Sequence, residues 1–209
     1  MKKVSKVILL MLLVVSLVFS ISCNSKKNAN DNNASANTTA SSDDKNSSNA
    51  GKKVLVAYFS VTNNTKNVAE SIADLANADL YAIEPEVPYT SADLNWRDEN
   101  SRVMKEMSEG DFPEMKNEVP SLEDYDTVFI GYPIWGGKAP NIVSYFVLES
   151  DLSGKTVIPF CTSSSSPFGT SDAALKELSD DDVNWLPGHR FSSNSSRSSI
   201  KSWLDSLSL

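Results

Sequence analysis

The sequence has few of the residues that build disulfide scaffolds, metal centres and nucleophilic catalytic sites. It contains two cysteines and one histidine among 209 residues. Two cysteines are too few for a disulfide framework, and no cluster of cysteine and histidine has the spacing of a metal site. The lone histidine, His189, lies in a weakly patterned Pro-Gly-His stretch. We therefore predict no metal site and no catalytic residue. We expect His189 to be a surface or loop-packing residue and Cys161, at the end of an apolar run, to be a buried and inert thiol.

Basic residues are scarce in most of the chain. The sequence has 19 Lys and Arg against 27 Asp and Glu. Residues 1–50 hold 6 of the basic and 3 of the acidic ones, which leaves 13 basic and 24 acidic residues and a net charge of −11 in the remainder. Such a surface repels nucleic acid and anionic membranes. It would attract a basic protein partner, although acidic charge also serves plain solubility.

No apolar run is long enough to cross a membrane comfortably. The longest, at residues 7–19, follows a short basic segment and has the length of a signal-peptide core. Ser-Ile-Ser and then Cys23 follow it. A small residue directly before a cysteine, just after the apolar core, resembles a bacterial lipobox, although Ser20 stands where leucine is usual. We predict a lipoprotein-type signal peptide at 1–22 and lipidation of Cys23. An ordinary secretory signal followed by an incidental cysteine is the alternative.

Residues 24–50 lack aromatic and large aliphatic side chains altogether. A segment of this composition cannot bury enough apolar surface to offset its ordering entropy. We predict a disordered polar tether at 23–51 that joins the anchor to a folded domain at 52–209. This layout places the domain outside the cytoplasm, at the cell envelope, either in the periplasm or on the outer surface.

From residue 52 onwards, β-rich runs alternate with helical patterns. Apolar runs predict strands, and apolar residues at helical spacing predict helices between them. The predicted strands are 53–59, 79–83, 127–131, 156–161 and, more weakly, 183–191, and the predicted helices are 65–76, 141–148, 171–178 and 199–207. Repeated strand-helix units indicate an α/β fold with a parallel sheet covered by helices on both faces.

One long segment, residues 85–124, interrupts this rhythm. It is acidic, contains proline and has a helical patch near 97–108. Connections of this length are usually functional lids or decorated loops. Ligands of such sheets bind beyond the carboxyl ends of the strands, so the loops after strands one, three and four are the candidate sites.

The first of these loops, residues 60–67, enters a predicted helix and is rich in hydroxyl and amide groups. Free N–H groups and the helix dipole make such a place an anion site. The loop lacks the glycine frame and the Gly-Lys-Ser/Thr ending of a Walker loop, and it lacks the dinucleotide Gly-x-Gly-x-x-Gly pattern. A loop of neutral donors suits a phosphate monoester, and a simple helix cap is the alternative.

The second and third loops offer an aromatic plate and a row of hydroxyl groups. Trp135 lies beside Gly136 and Gly137 in the loop at 131–140, where a flat heteroaromatic ring could stack. The loop at 161–171 opens with consecutive hydroxyl side chains that suit a polar ring edge. Alone, each loop has a plain alternative, a core tryptophan or a solvated turn. Together they indicate phosphate, ring and ring edge at one side of a sheet.

These residues carry a resemblance to flavodoxin-like proteins that bind FMN. The stretch at 54–65 resembles the opening of that family with its phosphate loop, 125–135 resembles the third strand and ring loop, and 152–162 resembles the fourth strand. The resemblance implies a three-layer, doubly wound sheet of five parallel strands in the order 2-1-3-4-5.

The resemblance also implies which residues bind FMN. The phosphate would be held by Ser60, Thr62, Asn63, Asn64 and Thr65. The isoalloxazine ring would lie against Pro133, Ile134, Trp135, Gly136 and Gly137, with its pyrimidine edge near Thr162, Ser163 and Ser164. The sequence departs from the family pattern at three places: Asn63 replaces a usual glycine, Gly136 replaces a frequent second tryptophan, and 163–165 is Ser-Ser-Ser where His-Gly-Gly is frequent.

Three functions remain open at this point. The domain could be an electron shuttle with an unknown redox partner, or an FMN-dependent oxidoreductase that reduces a quinone or another small acceptor. It could also be a flavin-free exported domain that keeps the fold and binds another ligand. Expected partners are FMN, a redox protein or small acceptor and, through the lipid anchor, a membrane, but not nucleic acid.

Overall fold

The structure of the protein is a computed structural model that describes residues 53–207. The predicted signal peptide, Cys23 and the tether lie outside the described residues. Strands and helices alternate along the described part, as the sequence predicts. The strands are β1 (Val54–Tyr58), β2 (Asp79–Ala82), β3 (Thr127–Pro133), β4 (Thr156–Thr162), β5 (Asn184–Trp185) and β6 (His189–Phe191). The helices are α1 (Asn64–Ala76), α2 (Arg102–Glu109), α3 (Asn141–Glu149), α4 (Ala173–Leu178) and α5 (Arg197–Ser206).

All of these strands pair in parallel in one sheet. The order is β2-β1-β3-β4-β5, and β6 also pairs with β4. The predicted flavodoxin-like α/β fold with strand order 2-1-3-4-5 is therefore confirmed. In register, Tyr58 of β1 lies opposite Gly131 of β3, and Pro133 of β3 lies opposite Thr162 of β4. The carboxyl ends of these three strands thus open onto the same edge.

The predicted fifth strand is divided in two. β5 pairs with the start of β4 and β6 with its end, and Pro187 and Gly188 lie between them. Leu186 still donates its N–H to the carbonyl of Val157 at 2.9 Å. Proline has no N–H to continue the ladder, so pairing stops at Pro187 and resumes at His189.

Side chains alternate between the two faces of the sheet, and each face has its own apolar core. Leu55 and Ala57 of β1 belong to one core, which α3 and α4 cover. Val56 and Tyr58 belong to the other, which α1 and α5 cover. The strands are buried on both sides because helices cover both faces. Among the described residues, no helix is long and apolar enough to cross a bilayer.

The long segment after β2 folds back beside the end of that strand. Its arms meet at an antiparallel bridge between Pro85 and Met115, and Lys116 donates its N–H to the carbonyl of Glu84 at 2.9 Å. The predicted helical patch is shorter than expected, because α2 begins only at Arg102 and turns precede it. We call residues 85–124 the insertion.

Candidate functional site

Hydrogen bonds join the three predicted loops at the carboxyl edge of the sheet. The N–H of Phe59, at the end of β1, donates to the carbonyl of Gly131 at 2.9 Å. Ile134 of the second loop donates its N–H to the carbonyl of Thr162 in the third at 3.2 Å. The hydroxyls of Thr65 and Thr162 lie 2.8 Å apart. The structure therefore brings the residues predicted for phosphate, ring and ring edge to one edge of the sheet.

The first loop leaves the N-terminus of α1 open to an anion. Asn63 precedes the helix with φ 63°, in the left-handed region, and no side chain caps the helix. The first turn carries no acidic residue, so the N–H groups and the positive end of the helix dipole are not neutralised there. Asparagine tolerates this conformation better than most residues, which explains how it replaces the glycine usual at this place. Thr62 accepts a hydrogen bond from the Asn64 amide at 3.2 Å.

Thr65 has a different role from its neighbours in this loop. It is only 1% exposed, and its hydroxyl is engaged with Thr162 on β4. The side chain therefore ties the first loop to the third and does not face solvent. Thr62 and Asn63 are exposed, and Ser60 and Asn64 are half-buried, so these side chains remain open to a ligand.

The second loop turns back on itself immediately after Trp135. Trp135 and Lys138 exchange two backbone hydrogen bonds, at 3.0 and 2.9 Å. The two residues between them, Gly136 and Gly137, have φ 54° and 82°. Two successive positive φ angles define a type I′ turn, which glycine adopts without a steric penalty. The Gly-Gly pair therefore sets the turn that follows the tryptophan.

Trp135 packs edge-on against two other aromatic rings. Its ring centroid lies 5.3 Å from that of Phe59 and 5.3 Å from that of Tyr89, with both ring pairs near perpendicular. Phe59 ends β1, whereas Tyr89 comes from the insertion. Trp135 is half-buried. Its indole therefore packs against two rings, and part of its surface is exposed to solvent.

The insertion also reaches the place where a second tryptophan is frequent in similar proteins. A Cβ atom on Gly136 would overlap the terminal methyl group of Met107 on α2. Asn141, at the start of α3, donates from its amide to the carbonyl of Glu106 at 2.6 Å and to that of Asp111 at 2.9 Å. The Met107 side chain of α2 thus lies against the second loop at Gly136, and Asn141 hydrogen-bonds α2 to the start of α3.

Arg190 supports the third loop. Its guanidinium donates to the carbonyls of Ser163 at 3.0 Å and Ser164 at 3.2 Å. The N–H of Ser163 donates to the carbonyl of Phe191 at 3.1 Å. Sequence reasoning missed this role of Arg190, although a basic residue inside an apolar, weakly predicted strand was a signal. It missed Tyr89 too, because no spacing pattern links the insertion to the second loop.

Other polar side chains at this edge are structural. Tyr132 is fully buried, and its hydroxyl lies 3.1 Å from that of Ser171. Burial raises the pKa of the Cys161 thiol to about 12, so the thiol stays protonated and unreactive at neutral pH. The prediction of a buried cysteine is confirmed.

His189 lies outside the three loops. Its ring is 5.4 Å from that of Trp203 and 4.6 Å from that of Phe191. Burial against the protein lowers the pKa of His189, which favours the neutral ring near pH 7. The ring therefore packs against two aromatic side chains, in keeping with the predicted packing role. Within residues 53–207, no group of His, Cys, Asp and Glu side chains is arranged to hold a metal ion.

A cavity of about 220 Å³ adjoins the first loop. It lies between the end of β1, the residues that follow β2 and the insertion. Its apolar lining includes Phe59, Val61 and Tyr89, and its polar groups come from Ser60, Glu84 and Lys116. Lys116 and Glu84 form an ion pair at 3.3 Å. The space is large enough for a small single-ring molecule.

Comparison with known proteins finds a flavodoxin family model and crystal structures of similar proteins. The family model described as Flavodoxin matches residues 53–207. A crystal structure from Bacteroides uniformis, described as that of a flavoprotein, is 40% identical with a TM-score of 0.70, covering 74% of this chain and 99% of its own. One from Bacteroides eggerthii, described in the same way, is 42% identical with a TM-score of 0.69, covering 75% and 98%. No curated protein matches the chain significantly.

A third structure, a flavoprotein from Lactobacillus acidophilus in complex with FMN, shares the fold only. It is 20% identical with a TM-score of 0.56, and the match covers 76% of this chain and 99% of that one.

Proposed function

The chain belongs to the flavodoxin family, and from this premise we propose that its domain binds FMN and transfers electrons at the bacterial cell envelope. The observation that carries the proposal is the joining of three loops, one at an open helix N-terminus and one bearing Trp135, at the carboxyl edge of the sheet. The Lactobacillus protein of the same fold contains FMN, which supports the choice of flavin.

The residues at this edge suit the parts of FMN. The N–H groups at the start of α1, with Ser60, Thr62 and Asn64, would hold the phosphate, and the backbone N–H of Thr65 would join them. No cation is needed there, because a phosphate gains from N–H donors and the helix dipole alone. The ring would lie along the second loop, from Pro133 to Gly137, with its pyrimidine edge toward Thr162, Ser163 and Ser164.

FMN supplies the redox chemistry when it is bound, because it can take up and release electrons singly or in pairs. The protein contributes binding and orientation. Arg190 fixes the third loop through two carbonyl groups, and it places a positive charge behind that loop. His189 lies elsewhere and the Cys161 thiol stays protonated, so neither of these two side chains acts as a base at this edge.

Reduction of a small acceptor is a second candidate function. The cavity of about 220 Å³ shares Ser60 and Val61 with the phosphate loop and Tyr89 with the neighbours of Trp135. A small ring compound bound there would lie next to the flavin site. An electron shuttle would need no such space. Turnover of reduced protein with quinones, compared with turnover by a variant whose cavity is filled from its exposed side by Lys116→Trp, separates the two functions.

The proposed envelope location rests on the signal peptide and the lipidation of Cys23 that the sequence predicts. Cleavage before Cys23 and acylation would leave the domain on a polar tether, and several acyl chains give stable membrane attachment. The electron donor would then be a membrane-bound or exported protein, because cytosolic nicotinamides are not accessible there.

The anchor is tested by cell fractionation of the full-length chain expressed in a bacterium. We expect the wild-type chain in the membrane fraction, and mass spectrometry should find acyl groups on the peptide that begins at Cys23. Cys23→Ser should move the protein out of that fraction. Equal fractionation of both chains would contradict the anchor and leave the folded domain unaffected.

FMN binding is tested by the visible absorption spectrum of the purified chain, before and after FMN is added and unbound flavin is removed. We expect two flavin bands and a stoichiometry close to one flavin per chain. A colourless protein that also fails to quench the fluorescence of added FMN would favour the flavin-free alternative.

A further inference from the structure

Tyr89 lies on the insertion, and its side chain contacts two other residues of the insertion, Arg102 and Glu106. The Tyr89 hydroxyl donates to Oε2 of Glu106 at 2.7 Å. The other carboxylate oxygen, Oε1, accepts from Nε of Arg102 at 2.6 Å. The Arg102 guanidinium also lies 4.1 Å from the centre of the Tyr89 ring and donates to the carbonyl of Val87 at 2.6 Å. We call Tyr89, Arg102 and Glu106 the clamp.

The clamp is largely shielded from water. The Glu106 side chain is 11% exposed and that of Arg102 25%, and burial together with Glu106 raises the pKa of Tyr89 well above its usual value. The phenol therefore remains a hydrogen-bond donor at any physiological pH. A charge pair that is shielded and shares hydrogen bonds with a third group holds its partners far more firmly than an exposed pair.

Through Tyr89, the clamp contacts the tryptophan of the second loop. Tyr89 packs edge-on against both Trp135, at 5.3 Å, and Phe59, at 5.9 Å. Phe59 directly follows β1, donates its N–H to β3 and is fully buried, so Tyr89 is the neighbour of Trp135 that depends on the insertion. Because the Gly-Gly turn after Trp135 carries no side chains, packing against these two rings sets the indole orientation.

We propose that Tyr89, fixed by Glu106 and Arg102, is a positioning residue that holds Trp135 in the orientation required to stack on the flavin ring. This inference rests on the proposed function and assigns the insertion a part in it. An electron-rich indole held against the ring disfavours the added negative charge of reduced FMN. The clamp then affects both the affinity for FMN and its midpoint potential.

The test compares three variants of the full-length chain. Tyr89→Phe keeps the ring and removes the bond to Glu106, and Tyr89→Leu removes the ring as well. Tyr81→Phe is the matched control: its hydroxyl also binds the insertion, at the carbonyl of Glu118 (3.1 Å), but its ring packs on Phe146. The dissociation constant for FMN, the midpoint potential and the thermal midpoint are measured for each.

We expect Tyr89→Phe to weaken FMN binding roughly fivefold to tenfold, in keeping with the loss of one shielded, charge-assisted hydrogen bond. The potential should rise, and Tyr89→Leu should change both quantities further. Tyr81→Phe removes an exposed bond to a neutral carbonyl, so it should lower the thermal midpoint less and leave affinity and potential unchanged. A purely structural role of Tyr89 would not separate the two phenylalanine variants in this way.

A double-mutant cycle tests whether the effect passes through Trp135. In a Trp135→Leu background, Tyr89→Phe should no longer change the affinity or the potential. The inference would be overturned if Tyr89→Phe had the same effect in the Trp135→Leu background, or if wild type and Tyr89→Phe bound FMN equally well. In either case, FMN binding by the wild type would still uphold the proposed function. A wild-type chain that binds no FMN would overturn both.

Discussion

At the scale of single residues, Thr65 links the first loop to the third. Its hydroxyl and that of Thr162 are both buried, and they form a hydrogen bond across the sheet edge. Thr62, three residues earlier, is exposed and lies at the open end of α1. Two threonines of one loop therefore have separate consequences, one for stability and one for the ligand.

Thr65→Val should destabilise the protein by roughly 1–3 kcal/mol, because it leaves the buried Thr162 hydroxyl without its partner. The backbone N–H of residue 65 is retained, so the affinity for FMN in the folded protein should change little. The measurement is urea denaturation together with an FMN titration.

Thr62→Val is the matched control and should give the opposite result. An exposed substitution should change stability by no more than about 0.5 kcal/mol, whereas the lost hydroxyl should weaken FMN binding. If Thr65→Val weakened FMN binding more than Thr62→Val did, the Thr65 hydroxyl would have to turn toward the phosphate when FMN binds.

Single residues also show where sequence reasoning succeeds and where it stops. Asn63 was recognised as unusual, and its left-handed conformation follows from the tolerance of asparagine for positive φ. Thr65 lies one turn before Val68 and Ala69 on the buried face of α1, so helical spacing indicates its inward direction. Its partner Thr162 was not predictable, because that contact joins residues far apart in the sequence. Arg190 acts through loop carbonyls, which no motif encodes.

At the scale of secondary-structure elements, β3 and β4 are packed tightly where a glycine of β3 faces a phenylalanine of β4. Gly131 lies opposite Phe160, and a Cβ at residue 131 would overlap three atoms of the Phe160 ring. The ring is fully buried, so it has no room to turn away. This glycine is required for space and not for backbone conformation.

Gly131→Ala should therefore cost roughly 1–3 kcal/mol of stability through overpacking. Phe160→Leu alone should also destabilise the protein, since it leaves a partly empty core position. The double variant should cost less than the sum of the two, because the smaller side chain makes room for the new methyl group. Urea unfolding of the four proteins measures the coupling, and strictly additive costs would contradict the proposed contact.

Elements with strong patterns were predictable, and elements defined by tertiary contacts were not. The apolar runs of β1, β3 and β4 and the amphipathic faces of α1 and α5 mark their positions in the sequence itself. The division of the last strand depends on Pro187, whose missing N–H ends the pairing. The course of the insertion follows from Tyr89, Arg102, Glu106 and Asn141, residues that are distant in sequence and share no repeat.

At the scale of the whole molecule, the domain is acidic, and so is the insertion that lies beside the carboxyl edge of its sheet. The sequence from residue 51 onwards has a net charge of −11. Five large apolar side chains are exposed in the described part of the chain: Leu80 lies on β2, and the other four, Val87, Trp96, Met107 and Phe112, lie on the insertion. Acidic charge steers a basic partner toward the domain and has little effect on the final affinity.

The fold class could be predicted from the alternation of strands and helices along the chain. The carboxyl edge of the sheet could be predicted as the ligand site because the strands are parallel. Parallel strands require helical crossovers, and their carboxyl ends must share one edge. The sequence could not predict how open that edge is, because Met107 and Tyr89 reach it from a segment without regular pattern. The proposed function therefore depends on whether this edge holds a phosphorylated flavin.

The most direct measurement compares FMN with riboflavin, which has the same ring and lacks the phosphate, by fluorescence titration of the purified flavin-free chain. The account predicts one binding site and an affinity for FMN at least about tenfold higher, because N–H donors and the helix dipole at α1 act on the phosphate alone. Equal affinities would contradict the assignment of the first loop. Absence of binding by both flavins would contradict the proposed function.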